Sequence, residues 1–299
     1  MRRPDDWHLT HDLDAFLDRA GDFLHSRPAL HTVPLTVTEG LRRRGLHVYG
    51  DGDPLFGTLD SGDGGIRAVF FRTPPHRIYP TSLTAEEADA LAARLASLGH
   101  HLPGVSADRD TAAAFAQAWQ RRTGAEPHLY ERQRLYRLGE LTSPKPSPPG
   151  RARVATAADR ARLVRWYAEF MDQVGAGAAQ DSGAWADSRI AYGGITLWET
   201  PDGAPVAMAG VTPEVAGQIR VAPVYTPAEL RGRGYAGAAT AEVSRAALAS
   251  GAAEVLLFTD LANPTSNGLY QRIGYRPVAD FAVYEFPCLP TAGGPPCLP

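Results

Sequence analysis

The sequence predicts a mixed α/β protein laid out as two consecutive halves. Segments with the 3.6-residue period of amphipathic helices alternate with short runs of strand-forming residues along most of the 299-residue chain. The second half reads β-α-α-β-β-β-α-β-α-β, an order that places helices on both faces of one mixed sheet. Between the halves, residues 139–150 (GELTSPKPSPPG) hold four prolines in twelve positions, which no helix or central strand sustains. Length alone also favours two domains.

Taken in order, apolar residues at 13, 16, 17, 20, 23 and 24 predict a helix over 12–26. Strands follow at 55–59 and 66–72, joined by a Ser-Gly-Asp-Gly-Gly turn. Thr84, with Glu87 three residues on, forms a capping box for a helix reaching about residue 98. A short strand at Val105, a helix over 110–122 and a strand over 131–138 complete the first half. The second half predicts a strand at 153–156, helices over 159–174 and 181–192, and strands at 195–200, 205–211 and 218–226. A helix over 234–250, a buried strand at 255–259, a short helix over 266–273 and a strand at 281–286 follow. The domains are accordingly 1–138 and 151–286, with a linker over 139–150 and a Pro/Gly-rich tail over 287–299. The first half repeats the order of the second in weaker form, as a diverged tandem repeat would.

Composition narrows the function. Hydrophobic residues are 44% and charged residues 21% of the chain, the proportions of a folded protein. Thirty basic residues against 33 acidic ones leave a net charge of −3, without the basic excess that nucleic-acid or anionic-membrane binding uses. Lys145 is the one lysine, and it lies in the proline-rich stretch, so a P-loop nucleotide site and a Schiff-base enzyme are both excluded. Cys288 and Cys297 lie in the tail with no histidine nearby, which predicts free thiols rather than a structural bridge or a zinc site. The histidines of the first half form no ligand-spaced helical pair, and no metal is expected. With neither a leader-like N-terminus nor an apolar run of about 20 residues, the expectation is a soluble, cytoplasmic protein.

The chemistry concentrates at residues 231–237, Arg-Gly-Arg-Gly-Tyr-Ala-Gly, between a predicted strand and a predicted helix. Glycines there let the backbone approach a ligand, and unpaired amides at the helix start favour a pyrophosphate. Gly232, Gly234 and Gly237 satisfy GxGxxG, with Asp260 ending the next strand. A dinucleotide site, however, runs its strand straight into the first glycine, whereas Tyr225 to Arg231, including Pro227, intervene here. A glycine-rich turn that only caps the helix is a further alternative.

A third reading takes in more of the chain. Arg231-x-x-Gly234-x-Ala236 follows Val224-Tyr225-Thr226-Pro227 and precedes Asn263-Pro264-Thr265-Ser266-Asn267-Gly268-Leu269-Tyr270 and Ile273-Gly274-Tyr275. This combination, spanning about 151–286, resembles the GNAT N-acetyltransferase superfamily and its Q/R-x-x-G-x-G/A signature. The resemblance implies two GNAT-like domains, the N-terminal one degenerate, because Ile78-Tyr79-Pro80-Thr81-Ser82 stands where its phosphate loop would be. It implies acetyl-CoA as co-substrate and transfer of the acetyl group to a small-molecule or peptide amine. The amides of Arg231, Gly232, Arg233, Gly234, Tyr235 and Ala236 would hold the pyrophosphate. Backbone groups of Val224, Tyr225 and Thr226 would pair with the pantetheine arm, and Asn263 and Ser266 would bond the cofactor.

By the same resemblance, Tyr270 is the general acid for the departing thiolate. The base is open: 218–226 holds no Asp or Glu, and Glu169, Asp172, Glu199 and Glu214 are the candidates. The first half would support the acceptor pocket or the fold. A mycothiol-synthase-like transferase and an acyl-CoA-binding sensor without turnover are the alternative functions.

Overall fold

The computed structural model describes residues 3–62, 64–174 and 181–287. The chain folds as a mixed α/β protein of two compact units, Met1–Arg134 with Ala279–Pro299, and Leu135–Val278. Cys288 and Cys297 lie outside the described residues.

In the first unit, a 3-10 turn leads into β1 (Trp7–Thr10), α1 (Leu13–His25), α2 (Thr32–Arg44), β2 (Leu55–Asp60), β3 (Ile66–Arg72) and β4 (Tyr79–Pro80). Next come α3 (Ala85–Ser97), β5 (Gly104–Asp108), α4 (Arg109–Thr123) and the start of β6 (His128–Leu138). Strands β1 to β4 form an antiparallel sheet in chain order, and a parallel bridge joins Ile78 to Val105 at β5. Asp12 starts α1 by accepting from the Ala15 amide at 3.0 Å, and Leu13, Phe16, Ala20 and Leu24 bury its inner face. The Thr84–Glu87 capping box forms as expected, and buried Glu87 also pairs with Arg67 at 2.9 Å.

Helix α2 was not expected, because TVPLTVTEGLRRR is poor in helix formers. Pro34 is tolerated because it lies in the first turn, where amides have no intrahelical acceptor. Burial of Leu35, Thr38 and Leu41 then decides the matter in favour of helix.

The second unit begins at the end of β6 and contains β7 (Arg151–Val154), α5 (Arg160–Gln173), α6 (Ser182–Ala191), β8 (Ile195–Glu199) and β9 (Pro205–Val211). It continues with β10 (Gln218–Tyr225), α7 (Tyr235–Ala249), β11 (Glu254–Asp260), α8 (Pro264–Arg272) and the start of β12 (Tyr275–Glu285). The strand order is β7-β8-β9-β10-β11 with β6 beyond β11, and only β10–β11 is parallel among the registered neighbours from β7 to β11. Alternation along the strands divides the core between two faces. Trp198, Ala207, Ala209 and Val221 pack with Ala238, Ala239 and Val243 of α7, whose small side chains let the helix sit close to the sheet. Leu197, Met208 and Tyr225 pack with Leu163, Trp166 and Tyr167 of α5 and Trp185 of α6.

Two boundaries differ from expectation. Strand β12 starts at Tyr275 rather than at 281: the exposed stretch from Arg276 to Val278, with Pro277 inside it, hides a strand from sequence pattern. Its far end, Phe281 to Glu285, pairs antiparallel with β5 in the first unit. Residues 139–150, expected to link two domains, lie within the second unit and are not free chain. The amides of Gly139 and Thr142 donate to the carbonyls of Gly274 and Ile273 at 3.0 Å, Pro148 is buried, and Trp198 Nε1 donates to Pro149 O at 3.2 Å. Gly274, at φ +107°, permits this approach, since a Cβ there would lie 1.9 Å from the Glu140 carbonyl oxygen.

Candidate active site

The site starts where β10 and β11 part. Their parallel register runs from Gln218↔Glu254 to Val221↔Leu257 and stops, although β10 continues to Tyr225 and β11 to Asp260. Sequence helps to explain why. Pro223 brings no amide to a ladder, and the β9–β10 register shifts between Val221 and Val224. Val224 and Tyr225 resume pairing with Ala209 and Met208 of β9, so one edge of β10 is satisfied and the edge toward β11 is open. An open edge of this kind accepts an extended amide-bearing chain as an added strand.

Beyond Thr226 the backbone turns through a 3-10 segment (Ala228–Leu230) into the glycine loop. Gly232 at φ +76° and Gly234 at φ +83° both adopt the left-handed region. Gly234 is the N-cap of α7, no side chain caps the helix, and the amides of Gly232 to Gly237 find no hydrogen-bond partner among the described residues. The loop's arginines do not fill this cradle. Arg231 donates through Nε to Thr226 O at 3.0 Å and through Nη2 to Gln173 Oε1 at 2.7 Å, while Arg233 donates to Glu229 O at 3.2 Å. Backbone dipoles at the start of a 15-residue helix are therefore left facing outward, a suitable host for a pyrophosphate.

Asn263 caps α8, its Oδ1 accepting from the Ser266 amide at 3.0 Å. Asn267, whose role sequence reasoning missed, is the residue that anchors this helix. Its Nδ2 donates to the carbonyls of Asp260 and Asn263, both at 2.8 Å, and its Oδ1 accepts from the Tyr136 hydroxyl at 2.9 Å. Asp260 turns its carboxylate to the Ala262 amide at 2.8 Å, which serves the turn and not a ribose.

Tyr270, on α8, is buried in the same apolar cluster as Val221, Leu257 and Tyr275, with Val224 packed against it. Its ring meets Tyr275 edge-on at 6.1 Å, and its hydroxyl has no hydrogen-bond partner among the described residues. Burial pushes its pKa up to about 12, so the phenol stays protonated at neutral pH. Tyr275 is fixed in turn by a 2.7 Å hydrogen bond with Ser244.

The four carboxylates considered as bases part company. Glu169, on α5, accepts from the Tyr225 hydroxyl at 2.6 Å. Burial first, and then this bond to a carboxylate, raise the Tyr225 pKa to about 12. Glu199 is held by Arg153 and by Arg151, the latter at 3.5 Å, on the β7–β8 edge, and its pKa is lowered chiefly by the Arg153 hydrogen bond. Its position and its partners make it a structural ion pair. Asp172 and Glu214 are exposed.

Residues 160–275 match the Acetyltransferase (GNAT) family. No curated protein sequence matches the chain significantly. Among solved structures, a GCN5-related N-acetyltransferase from Sphaerobacter thermophilus is similar at a TM-score of 0.57 and 15% identity, covering 95% of this chain and 96% of its own. A GNAT-family acetyltransferase from Colwellia psychrerythraea gives a TM-score of 0.60 at 11% identity, covering 94% and 99%. A glucosamine N-acetyltransferase region of a fungal multi-domain GH3 β-N-acetylglucosaminidase gives 0.57 at 12% identity, covering 94% of this chain and 38% of that one. These likenesses extend over both units, so the chain as a whole shares the fold of these structures. The parted strands, the uncapped glycine loop and the family match coincide in residues 160–275, which form a domain of the GNAT acetyltransferase family.

Proposed function

We propose that the second unit binds acetyl-CoA and transfers its acetyl group to an amine. The observation that carries this reading is two nearby stretches of backbone: the edge of β10 that is open toward β11 at Val224 and Tyr225, and the amides of Gly232 to Gly237, which have no partner among the described residues. The first segment suits the amide-bearing pantetheine arm and the second suits the pyrophosphate. The unused hydroxyl of Ser266 and the side-chain amide of Asn263 add polar contacts at the start of α8.

Acetyl-CoA supplies an activated thioester. The amine nitrogen bonds to the acetyl carbon, the C–S bond breaks, and the amine's displaced proton must leave while the thiolate gains one. Backbone amides of β10 near Val224 and Tyr225 stabilise the oxyanion that develops between these events. Tyr270 donates its hydroxyl proton toward the departing sulfur. A phenol near 12 is a weak acid beside a thiol near 8.5, so its effect comes from a hydrogen bond that strengthens as charge develops. Glu169, beside the end of β10, is the carboxylate placed to take the amine's proton, directly or through Tyr225.

Calorimetric titration with acetyl-CoA tests the binding step, and a thiol-release screen over amines tests turnover. Absence of acetyl-CoA binding by the folded protein would defeat the proposal.

A further inference from the structure

One side chain carries the hydrogen bonds that tie the glycine loop to the rest of the second unit, among the described residues. The amides of Leu230 and Arg231 bond to Pro227 O and Ala228 O, and the Arg233 guanidinium bonds to Glu229 O, all within the loop. Gly234 O serves the first turn of α7. The Arg231 guanidinium reaches outward, through Nε to Thr226 O at 3.0 Å and through Nη2 to Gln173 Oε1 at 2.7 Å.

Gln173 is the last residue of α5 and lies one turn beyond Glu169; residues four apart share a helix face. Glu169 Oε2 accepts from the Tyr225 hydroxyl at 2.6 Å, while its Oε1 lies 3.8 Å from Arg165, one turn back. Tyr225 directly precedes Thr226, the residue whose carbonyl accepts from Arg231. The bonds therefore close a ring, from Arg231 to Gln173, along α5 to Glu169, across to Tyr225, and through Thr226 back to Arg231. Members of such a ring constrain one another, because a large movement of one breaks a bond elsewhere. Gln173 and Arg231 are exposed, whereas Tyr225 is buried. The Arg231–Gln173 bond is thus the link that opens most readily, and it depends on how well the loop is ordered.

We propose that Arg231 and Gln173 are positioning residues that transmit occupancy of the glycine loop to Glu169. This inference rests on the acetyl-CoA reading of the loop. A pyrophosphate bonded to the amides of Gly232 to Gly237 immobilises the loop and, with it, the Arg231 guanidinium. The fixed guanidinium holds Gln173 and the last turn of α5, and so keeps Glu169 against Tyr225. The carboxylate is then best placed when the cofactor is bound, and the acceptor side of the site is assembled by the cofactor itself.

Hydrogen–deuterium exchange on the full-length chain, with and without saturating acetyl-CoA, tests this. In the wild type, acetyl-CoA should slow exchange at 231–238 and also in the last turn of α5, 170–174, the latter by about fivefold. Gln173→Leu removes the acceptor from Arg231; it should keep the slowing at 231–238 and abolish it at 170–174. Gln173→Glu retains an oxygen facing the guanidinium and should retain both effects. Should Gln173→Leu fail to fold, Gln173→Ala is read in its place. A bond of structural value alone would raise exchange equally in the free and bound protein and leave the acetyl-CoA-dependent difference intact, which would overturn the proposal. Slowing at 231–238 without slowing at 170–174 in the wild type would overturn it too. Slowing at neither segment would defeat the acetyl-CoA reading of the loop, and the coupling with it.

Discussion

The Tyr225 hydroxyl donates to the Glu169 carboxylate at 2.6 Å, tying the last residue of β10 to α5 across 56 positions of sequence. This bond brings a carboxylate beside the open edge of β10, where the strand itself has none. Glu169→Gln keeps the shape and removes the charge. Its kcat/KM for an amine acceptor should fall about 10²-fold or more, with the dissociation constant of acetyl-CoA unchanged. Steady-state kinetics alongside calorimetry separates the two effects, and an equal loss in both would assign Glu169 to the fold.

Tyr270→Phe retains the ring against Tyr275 and deletes a hydroxyl that has no hydrogen-bond partner among the described residues. The expected outcome is a kcat lower by about 10²- to 10⁴-fold with little change in acetyl-CoA affinity. CoA release is the readout. A kcat within a few-fold of wild type would leave Tyr270 with a packing role alone.

Gly234→Asp should abolish acetyl-CoA binding. A new Cβ would meet the Pro148 ring at an ordinary 3.7 Å, so space is not the obstacle. The obstacles are a φ of +83°, costing a non-glycine residue about 1–2 kcal/mol, and a negative charge at the anion cradle. Calorimetry on the folded variant checks this, with NADH expected to bind neither protein.

Acid should weaken the second unit through Asp159. This buried carboxylate pairs with Arg153 at 2.6 Å and accepts from the Thr156 amide at 2.9 Å, and its pKa falls from 3.8 to about 2, chiefly through the Arg153 bond. A depressed carboxylate pKa stabilises the fold above the unfolded value, and that contribution disappears as pH drops from about 4 through about 2. Asp159→Asn should therefore lose roughly 2 kcal/mol at pH 7, with the difference from wild type shrinking below pH 4. Denaturant titrations at several pH values measure it.

What was readable in the sequence follows a physical division. The glycine loop was legible because Gly232 and Gly234 directly encode the left-handed backbone they adopt. The α3 capping box was legible from local chemistry. The Glu169–Tyr225 bond and the Tyr136–Asn267 bond join distant positions, and no local pattern announces them. Helix α2 and the first half of β12 were hidden for a different reason: tertiary burial and pairing override weak propensity there.

Truncation should report how residues 139–150 contribute. A fragment of 135–278 keeps the Gly139–Gly274 and Thr142–Ile273 bonds and the Trp198–Pro149 bond, whereas 151–299 loses them. The longer-leadered fragment is expected to show the higher melting temperature. Equal thermal stability would make this stretch dispensable.

The passage of β12 from one unit into the other sets an order of events during biosynthesis. Residues 281–285, which cover β5, are translated after the whole of the second unit. Until they emerge, β5 has an unsatisfied edge, and the nascent N-terminal half must wait with a sticky strand exposed. The last-made strand thus acts as a latch, and the protein's yield should respond to chaperone supply more steeply than that of a chain whose halves close one after the other.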